Sequence, residues 1–247
     1  SSRYSSGENH YQLDVRDWKR VKEAMAEAKP DIIINCTGIL NQFAEQDPVT
    51  AVLVNGLFPH RLAEYAEKHS AKVIQISTDC VFLGDRGNYA ESDQPDGKTV
   101  YARSKMLGEI IQDRHLTIRT SIIGPELNPN GIGLFQWFMK QKGNINGYQR
   151  VRWNGVTTLE LAKAIDSMIQ QEIDGLYHLT APSIISKYSL LKKLQTIFQK
   201  NDVTILPSNT PVLDRTLQNT RTDFRYVVPD YDAMLKELKD WMGKHEP

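Results

Sequence analysis

Tyr101 and Lys105 stand four residues apart in Tyr101-Ala102-Arg103-Ser104-Lys105, so a helix through this stretch puts a phenol and an ammonium on one face. Upstream, Ile76-Ser77-Thr78-Asp79 sets a hydroxyl and a carboxylate where an apolar run turns polar. The set suits proton transfer to or from a carbonyl or alcohol oxygen. An unperturbed tyrosine, with a pKa of about 10, is a poor acid–base group near neutrality. A neighbouring ammonium favours the phenolate, so Lys105 is expected to lower the pKa of Tyr101. Tyr101 is then a candidate proton donor to a carbonyl oxygen, and Thr78 a candidate hydrogen-bond partner of that oxygen. Lys105 is also placed to hold polar groups of a cofactor. The plain alternative is a surface helix with a half-buried tyrosine and a solvated lysine. The strand-end threonine and the surrounding element pattern count against it.

Those elements follow from the apolar pattern. Tyr11 to Val15 reads as a short strand, and Asp17 opens a helix through Ala28 that Pro30 stops. Asp31 to Thr37 reads as a buried strand ending at Gly38. Residues 48–69 are helical with Pro59 as a kink or break, and Lys72 to Ser77 is the next strand. Gly84 to Gly97 is a polar loop, Val100 to Gln112 a helix, and Leu116 to Ile123 a strand closed by Gly124-Pro125. Strands alternating with such helices predict an α/β fold with a mostly parallel sheet, whose ligands bind beyond the carboxyl ends of the strands. Asn35, Thr37, Thr78 and Asp79 all fall at such ends. Further on, helical patterns cover roughly 132–141, 159–171, 187–199 and 231–242, with extended pieces near 176–180 and 203–206. They predict a smaller substrate-side lobe interleaved with the end of the main domain.

Other polar residues divide between structural and ligand roles. Asp79 either caps its turn or contacts a ligand. Asn35 either ties strand ends together or borders a cofactor. Asn55, polar among apolar helical neighbours, needs partners if buried, through a structural bond or a water-linked path to Lys105. Arg119, Arg150, Arg152, Trp153 and Asn154 are candidates for holding a substrate's phosphates or sugar, with Arg suited to bidentate phosphate contacts and Trp153 to stacking. None of His10, His60, His69, His115, His178 and His245 makes a close metal-ligand pattern. His178 reads as a structural strand residue. The sequence has neither a Gly-x-Ser-x-Gly elbow nor a Gly-Lys-Ser/Thr phosphate loop, which leaves hydrolase and kinase readings little support.

Composition sets the outer limits. The 247 residues carry 30 Lys plus Arg against 30 Asp plus Glu, so no dominant nucleic-acid or anionic-membrane footprint is expected. Apolar residues make 40% of the chain, ordinary for a soluble globular protein, and no apolar run approaches the ~18 residues of a membrane span. Cys36 and Cys80, both at the ends of apolar runs, read as buried reduced thiols in a reducing compartment. The opening residues, rich in Ser, Gly and Asn, read as mobile and carry no apolar signal-peptide stretch, so a cytoplasmic location is expected. The sequence opens without a Met, and its natural start is expected upstream.

Several stretches resemble the extended short-chain dehydrogenase/reductase superfamily, in its dTDP-4-dehydrorhamnose reductase-like, sugar-nucleotide branch. Pro30-Asp31-Ile32-Ile33-Ile34-Asn35-Cys36-Thr37 resembles the branch's PDVVINxAA strand, and Ile76-Ser77-Thr78-Asp79-Cys80-Val81-Phe82 its ISTDYVF. Tyr101-Ala102-Arg103-Ser104-Lys105-Met106-Leu107-Gly108-Glu109 resembles YGxSKxxGE, and Arg119 to Gly124 the RTSxxxG strand. Trp153 to Ala162 resembles the later substrate-side turn and helix. The likeness is strong over about 30–124 and thins afterwards.

The resemblance implies a Rossmann-like dinucleotide-binding domain at about 11–150 and a substrate-side lobe at 151–247. It implies Thr78, Tyr101 and Lys105 as the catalytic set, with Tyr101 as general acid and Lys105 on the nicotinamide ribose. Asp14 and Val15 would contact adenine. Cys36, Thr37, Gly38, Asn55 and Ser77 would border an NADP or NAD cofactor. Thr78, Asp79, Arg150, Arg152, Trp153 and Asn154 would meet a nucleotide-linked 4-keto-6-deoxy sugar, whose C4 keto group would be reduced. A sugar-nucleotide epimerase, another keto-sugar reductase and a non-catalytic dinucleotide-binding regulatory subunit are the alternatives; a homodimer is compatible with each, and no metal ligand set is placed. NADP would be marked by a basic residue near Arg3 or Arg16. Cys80 replaces the second tyrosine of the branch. The branch also opens with a strand, a GxxGxxG loop and a helix, whereas here Asp14 follows only 13 residues containing a lone Gly7. The sequence is therefore expected to begin about 30 to 50 residues into the family pattern.

Overall fold

The computed structural model describes residues 10–112, 114–128 and 131–244; Arg3, Gly7, the opening stretch 1–9 and His245 lie outside the described residues. Contacts divide the chain into two units. The first holds the chain up to Leu83, Gln94–Arg119 and Asp174–Tyr177; the second holds Gly84–Asp93, Thr120–Ile173 and the chain from His178 onward.

In the first unit, three β-branched and apolar runs form β1 (Ile32–Asn35), β2 (Lys72–Ile76) and β3 (Leu116–Arg119). They are parallel neighbours, with Ile34 opposite Ile74 and Ile74 opposite Leu116. Gly175–His178 joins on the far side of β3, giving a four-stranded sheet with β1 at its edge. Among the described residues β1 is less buried than its apolar sequence predicts: Ile34 is 46% exposed, whereas Ile74 is fully buried.

Helix α1 (Trp18–Ala28) starts where the Asp17 carboxylate accepts from the Arg20 N–H. It ends before Pro30, with Lys29 in the left-handed region and its N–H on the Met25 carbonyl. The expected strand at Tyr11–Val15 is absent from the described residues. The Asp17 N–H bonds the Asp14 carbonyl, and the Asp14 carboxylate takes the Arg16 N–H and guanidinium. That local turn competes with strand pairing.

Residues 48–68 are helical with an unforeseen feature in the middle. A π-helical stretch, Val52–Leu57, joins α3 (Pro48–Ala51) to α4 (Phe58–Lys68), after α2 (Asn41–Gln46). Pro59 has no N–H for the Asn55 carbonyl four residues back, and the π stretch places that break without ending the helix. Gly108 backs directly onto the same carbonyl: a Cβ built there would lie 1.9 Å from the Asn55 oxygen. Val21 and Met25 of α1, Phe58, Leu62 and Ala66 of α4, and Val73 of β2 close the core on this face. Each such side chain contributes roughly 1.5–3 kcal/mol on burial.

Helix α5 (Val100–Leu107) is capped by Thr99, whose hydroxyl accepts from the Ala102 N–H. It ends at Leu107, five residues before the expected end at Gln112, because residues 108–112 leave the helix and Ile110 enters the core. The predicted strand at Leu116–Ile123 is divided for a similar reason. After Arg119 the chain enters the second unit, and only Ile122–Ile123 resumes pairing, with Val156–Thr157.

The second unit holds helices Leu134–Lys140, Thr158–Gln170, Lys187–Ile197 and Tyr231–Lys244, close to the predicted spans. Gly143–Tyr148 pairs in parallel with Val203–Ser208, and Val151–Trp153 lies between Leu213–Asp214 and Ile185–Ser186. Among the described residues no helix is long and apolar enough to cross a membrane.

Candidate active site

The carboxyl ends of β1 and β2 and the buried face of α5 bring Thr78, Tyr101 and Lys105 into one region of the first unit. Thr78 leaves β2 in extended conformation and caps a short 3-10 turn, Asp79–Val81, its hydroxyl accepting from the Cys80 N–H at 3.1 Å. The cap is therefore Thr78, not Asp79. The same hydroxyl donates to the Asp79 carboxylate at 3.2 Å and acts as a hydrogen-bond partner of the Tyr101 phenol.

Tyr101 is 9% exposed and packs on Ala44 and Ala51. Burial pushes its pKa up, the nearby Cys80 and Asp79 add to the rise, and Thr78 offsets part of it. This reverses the expected effect of Lys105. The ammonium is turned to the sheet, where Nζ donates to the Ile76 carbonyl at 2.6 Å, and no hydrogen bond joins it to Tyr101 among the described residues. Lys105 is 5% exposed. Burial lowers its pKa to about 8, with Glu109 and Cys36 acting in the opposite sense. Near neutrality the site thus holds a protonated phenol beside a mostly charged amine.

A polar ladder crosses the strand ends beneath this pair. Thr37 Oγ1 donates to Asn35 Oδ1 at 2.6 Å, and Asn35 Nδ2 donates to Gln75 Oε1 at 2.6 Å. Gln75 Nε2 reaches the Ile76 carbonyl at 3.2 Å, the oxygen that anchors Lys105. Asn35 thus ties strand ends together. Asn55 is also a tie: it accepts from the Ile39 N–H at 2.8 Å and donates to the Ile39 carbonyl and Ser104 Oγ, each at 2.9 Å. No bond runs from it to Lys105 among the described residues.

Cys36, Thr37 and Gly38 form the lip where β1 ends. The expectation of two buried thiols is corrected: Cys36, just past the last residue of β1, is exposed, and Cys80 is half-buried. Protein around the Cys36 thiol still pushes its pKa up, while Lys105 acts to lower it. Asp14, paired with Arg16 at 2.5 Å, borders an open depression of about 660 Å³ with Tyr11, Leu13 and Arg20. Val15 packs against the α1–α4 core.

Two residues the sequence reading left without this role stand behind the set. Glu109 accepts from Ser77 Oγ and from Arg119 Nε, both at 2.7 Å, and Gln75 completes the ladder. Nothing in the residue spacing announces Gln75; Glu109 stands in a motif but carries no partner signal there. Arg119, a phosphate candidate by type, is 2% exposed and committed to Glu109.

In the second unit Arg150 and Arg152 are exposed. Trp153 and Asn154 are buried supports. Trp153 Nε1 donates to Ser121 Oγ at 2.7 Å, and the Lys187 ammonium covers its ring at 4.6 Å. Asn154 holds Leu217 through its N–H and its carbonyl. His178 is fully buried, its Nδ1 3.1 Å from the Gln218 carbonyl oxygen, which is a structural placement. The described residues contain no group of His, Cys, Asp and Glu fit to hold a metal ion.

A parallel sheet flanked by helices, with its polar residues at the carboxyl strand ends, defines a Rossmann-like α/β domain. Solved structures share it. A dTDP-4-dehydrorhamnose reductase from Bacillus anthracis, in complex with NADP, superposes with a TM-score of 0.81 at 23% identity, over 93% of this chain and 87% of that one. A Thermotoga maritima UDP-glucose 4-epimerase gives 0.77 at 15% identity, over 95% and 84%. These likenesses establish the fold. Residues 2–219 match the RmlD substrate binding domain, and the chain belongs to that family. Among curated relatives, a Streptomyces griseus dTDP-4-dehydrorhamnose reductase is 34% identical over 125 residues, 48% of this chain and 41% of that protein. The spore coat polysaccharide biosynthesis protein SpsK of Bacillus subtilis is 26% identical over 182 residues, 71% and 64% of the respective chains. The matches thus span less than two thirds of these relatives' lengths.

Proposed function

We propose that this chain carries the catalytic residues of an NAD(P)H-dependent reductase acting on the C4 keto group of a nucleotide-linked 4-keto-6-deoxy sugar. The observation that carries the reading is the buried pair of a neutral phenol, Tyr101, and an ammonium, Lys105, which among the described residues donates to the Ile76 carbonyl. An ammonium has three donors, so Lys105 retains capacity for the hydroxyls of a cofactor ribose. The donor set fits a nicotinamide dinucleotide on that ground, with Cys36, Thr37 and Gly38 as its lip and Asn55, Ser77, Asp14 and Val15 on the framework around it. The bound nicotinamide supplies the hydride.

The residues of the chain then do the proton chemistry. Tyr101 keeps its proton until negative charge grows on the substrate oxygen and releases it there as general acid. Thr78 orients the phenol and that oxygen together. Lys105, held on the Ile76 carbonyl, meets the cofactor ribose with its remaining N–H donors. Asp79 is the proposed substrate contact of the first unit and Arg150 and Arg152 those of the second; Trp153 shares the strand Val151–Trp153 with Arg152, and Arg150 lies in the turn before it. The first unit serves as the dinucleotide side and the second as the sugar-nucleotide side, in a cytoplasmic setting. The named dTDP-sugar reductases among the relatives support this substrate class. The test is NADPH oxidation by the full-length protein with a dTDP-4-keto-6-deoxy sugar. Turnover dependent on that sugar is expected; cofactor binding without turnover across a panel of keto sugars would refute the reading.

A further inference from the structure

Glu109 and Arg119 form an ion pair with both side chains 2% exposed. The pair is bidentate, Arg119 Nε to Oε1 and Nη2 to Oε2, each at 2.7 Å. Ser77 Oγ adds a third bond to Oε1 at 2.7 Å. Ser77 itself donates its N–H to the Ile118 carbonyl, so the carboxylate braces the ends of β2 and β3. As a brace alone this is an unfavourable choice, since apolar residues of similar volume usually serve as well as a buried ion pair. Its place suggests what the charge is for. Ser77 immediately precedes Thr78, and Glu109 stands four residues beyond Lys105 at the end of α5.

We propose that Glu109 is a positioning residue for the reductase site, fixing Thr78 through Ser77 and setting its carboxylate four residues beyond the Lys105 ammonium that sits on the Ile76 carbonyl. The inference rests on the catalytic reading for its purpose but not for its test. Among the described residues, Glu109, Cys36 and the Ile76 carbonyl act on Lys105. Glu109 lies on the lysine's own segment, Cys36 just past the end of β1 and the Ile76 carbonyl on β2, while Arg119 of β3 is engaged by Glu109. Of these, Glu109 exerts the largest effect favouring the ammonium, ahead of Cys36.

The test is a pH titration of the Lys105 side-chain ¹³Cε resonance in the full-length protein, which needs neither cofactor nor substrate. Glu109→Gln keeps the shape and removes the charge. It is expected to move the Lys105 midpoint downward by about one pH unit. Should the unpaired guanidinium prevent folding, Glu109→Gln combined with Arg119→Met removes both charges and is expected to move the midpoint the same way. An unmoved midpoint in a folded variant overturns the electrostatic role. Ser77→Ala is expected to leave the midpoint in place and lower kcat several-fold; wild-type kcat in that variant overturns the link to Thr78. If even the wild-type protein turns over no keto sugar, the reductase reading fails while the Lys105 titration still decides the role of Glu109.

Discussion

Lys105 Nζ lies 2.6 Å from the Ile76 carbonyl oxygen, so a helix residue one turn from the phenol is moored to the end of the neighbouring strand. The ammonium is thus set by the sheet before any ligand arrives, and Tyr101 stays protonated because burial, reinforced by Cys80 and Asp79, outweighs the opposing bond to Thr78.

Tyr101→Phe removes the proton donor and little volume. It is expected to reduce kcat by about 10²–10⁴-fold, the usual range for a positioned acid, with NADPH affinity held within a few-fold. Stopped-flow hydride transfer beside fluorescence titration of NADPH checks this; equal losses in both would remove Tyr101 from the chemistry.

Lys105 makes stability depend on pH. Its pKa is about 8 in the folded chain against about 10.4 unfolded. Between those values the unfolded chain binds more protons, so stability rises with pH through this window. Below about 8 the cost of burying the charge, on the order of 3 kcal/mol, is present in full. Urea unfolding at pH 7.5 and 9.5 (roughly spanning the lower part of the window) should show the rise in wild type and a flatter response in Lys105→Met.

Thr78→Val deletes the cap on the Cys80 N–H and the partner of the phenol. A loss of about 1 kcal/mol is expected from the cap, with kcat reduced by roughly 10–100-fold. Thr78→Ser should restore most of both, as read from denaturation midpoints and initial rates.

Asn55→Ala strands both the N–H and the carbonyl of Ile39 and leaves Ser104 without a donor. Each unsatisfied buried group costs about 1–3 kcal/mol, so the midpoint should fall well beyond that of a surface substitution. Asn55→Asp keeps the acceptor and loses the donors, and it is expected to be no better. Wild-type stability in either variant would contradict the geometry.

Cys36 offers a probe of the lip. Its thiol is exposed but held above its ordinary pKa by surrounding protein, so alkylation by iodoacetamide should be slow at neutral pH and quicken as pH rises. Saturating NADPH should protect it. Identical labelling with and without the dinucleotide would move the proposed cofactor away from the end of β1.

Much of the frame was legible because apolar period and strand–helix alternation report burial directly. Thr78, Tyr101 and Lys105 were legible as types at strand ends and helix spacing. What periodicity carries no trace of is side-chain direction. Lys105 turns to a carbonyl instead of the phenol, Arg119 enters the core instead of meeting phosphate, and the Tyr11–Val15 pattern yields to the Asp14 turn. Gln75 was hidden inside an apolar strand, where only the partner across the sheet, Asn35, shows why an amide is tolerated.

Where Gly108 meets the Asn55 oxygen, not even a methyl group fits. Main chain rests against main chain there, so α5 cannot creep along the π-helical segment. The reach from the proton donor to the strand tips is consequently gauged by the backbone itself at this point.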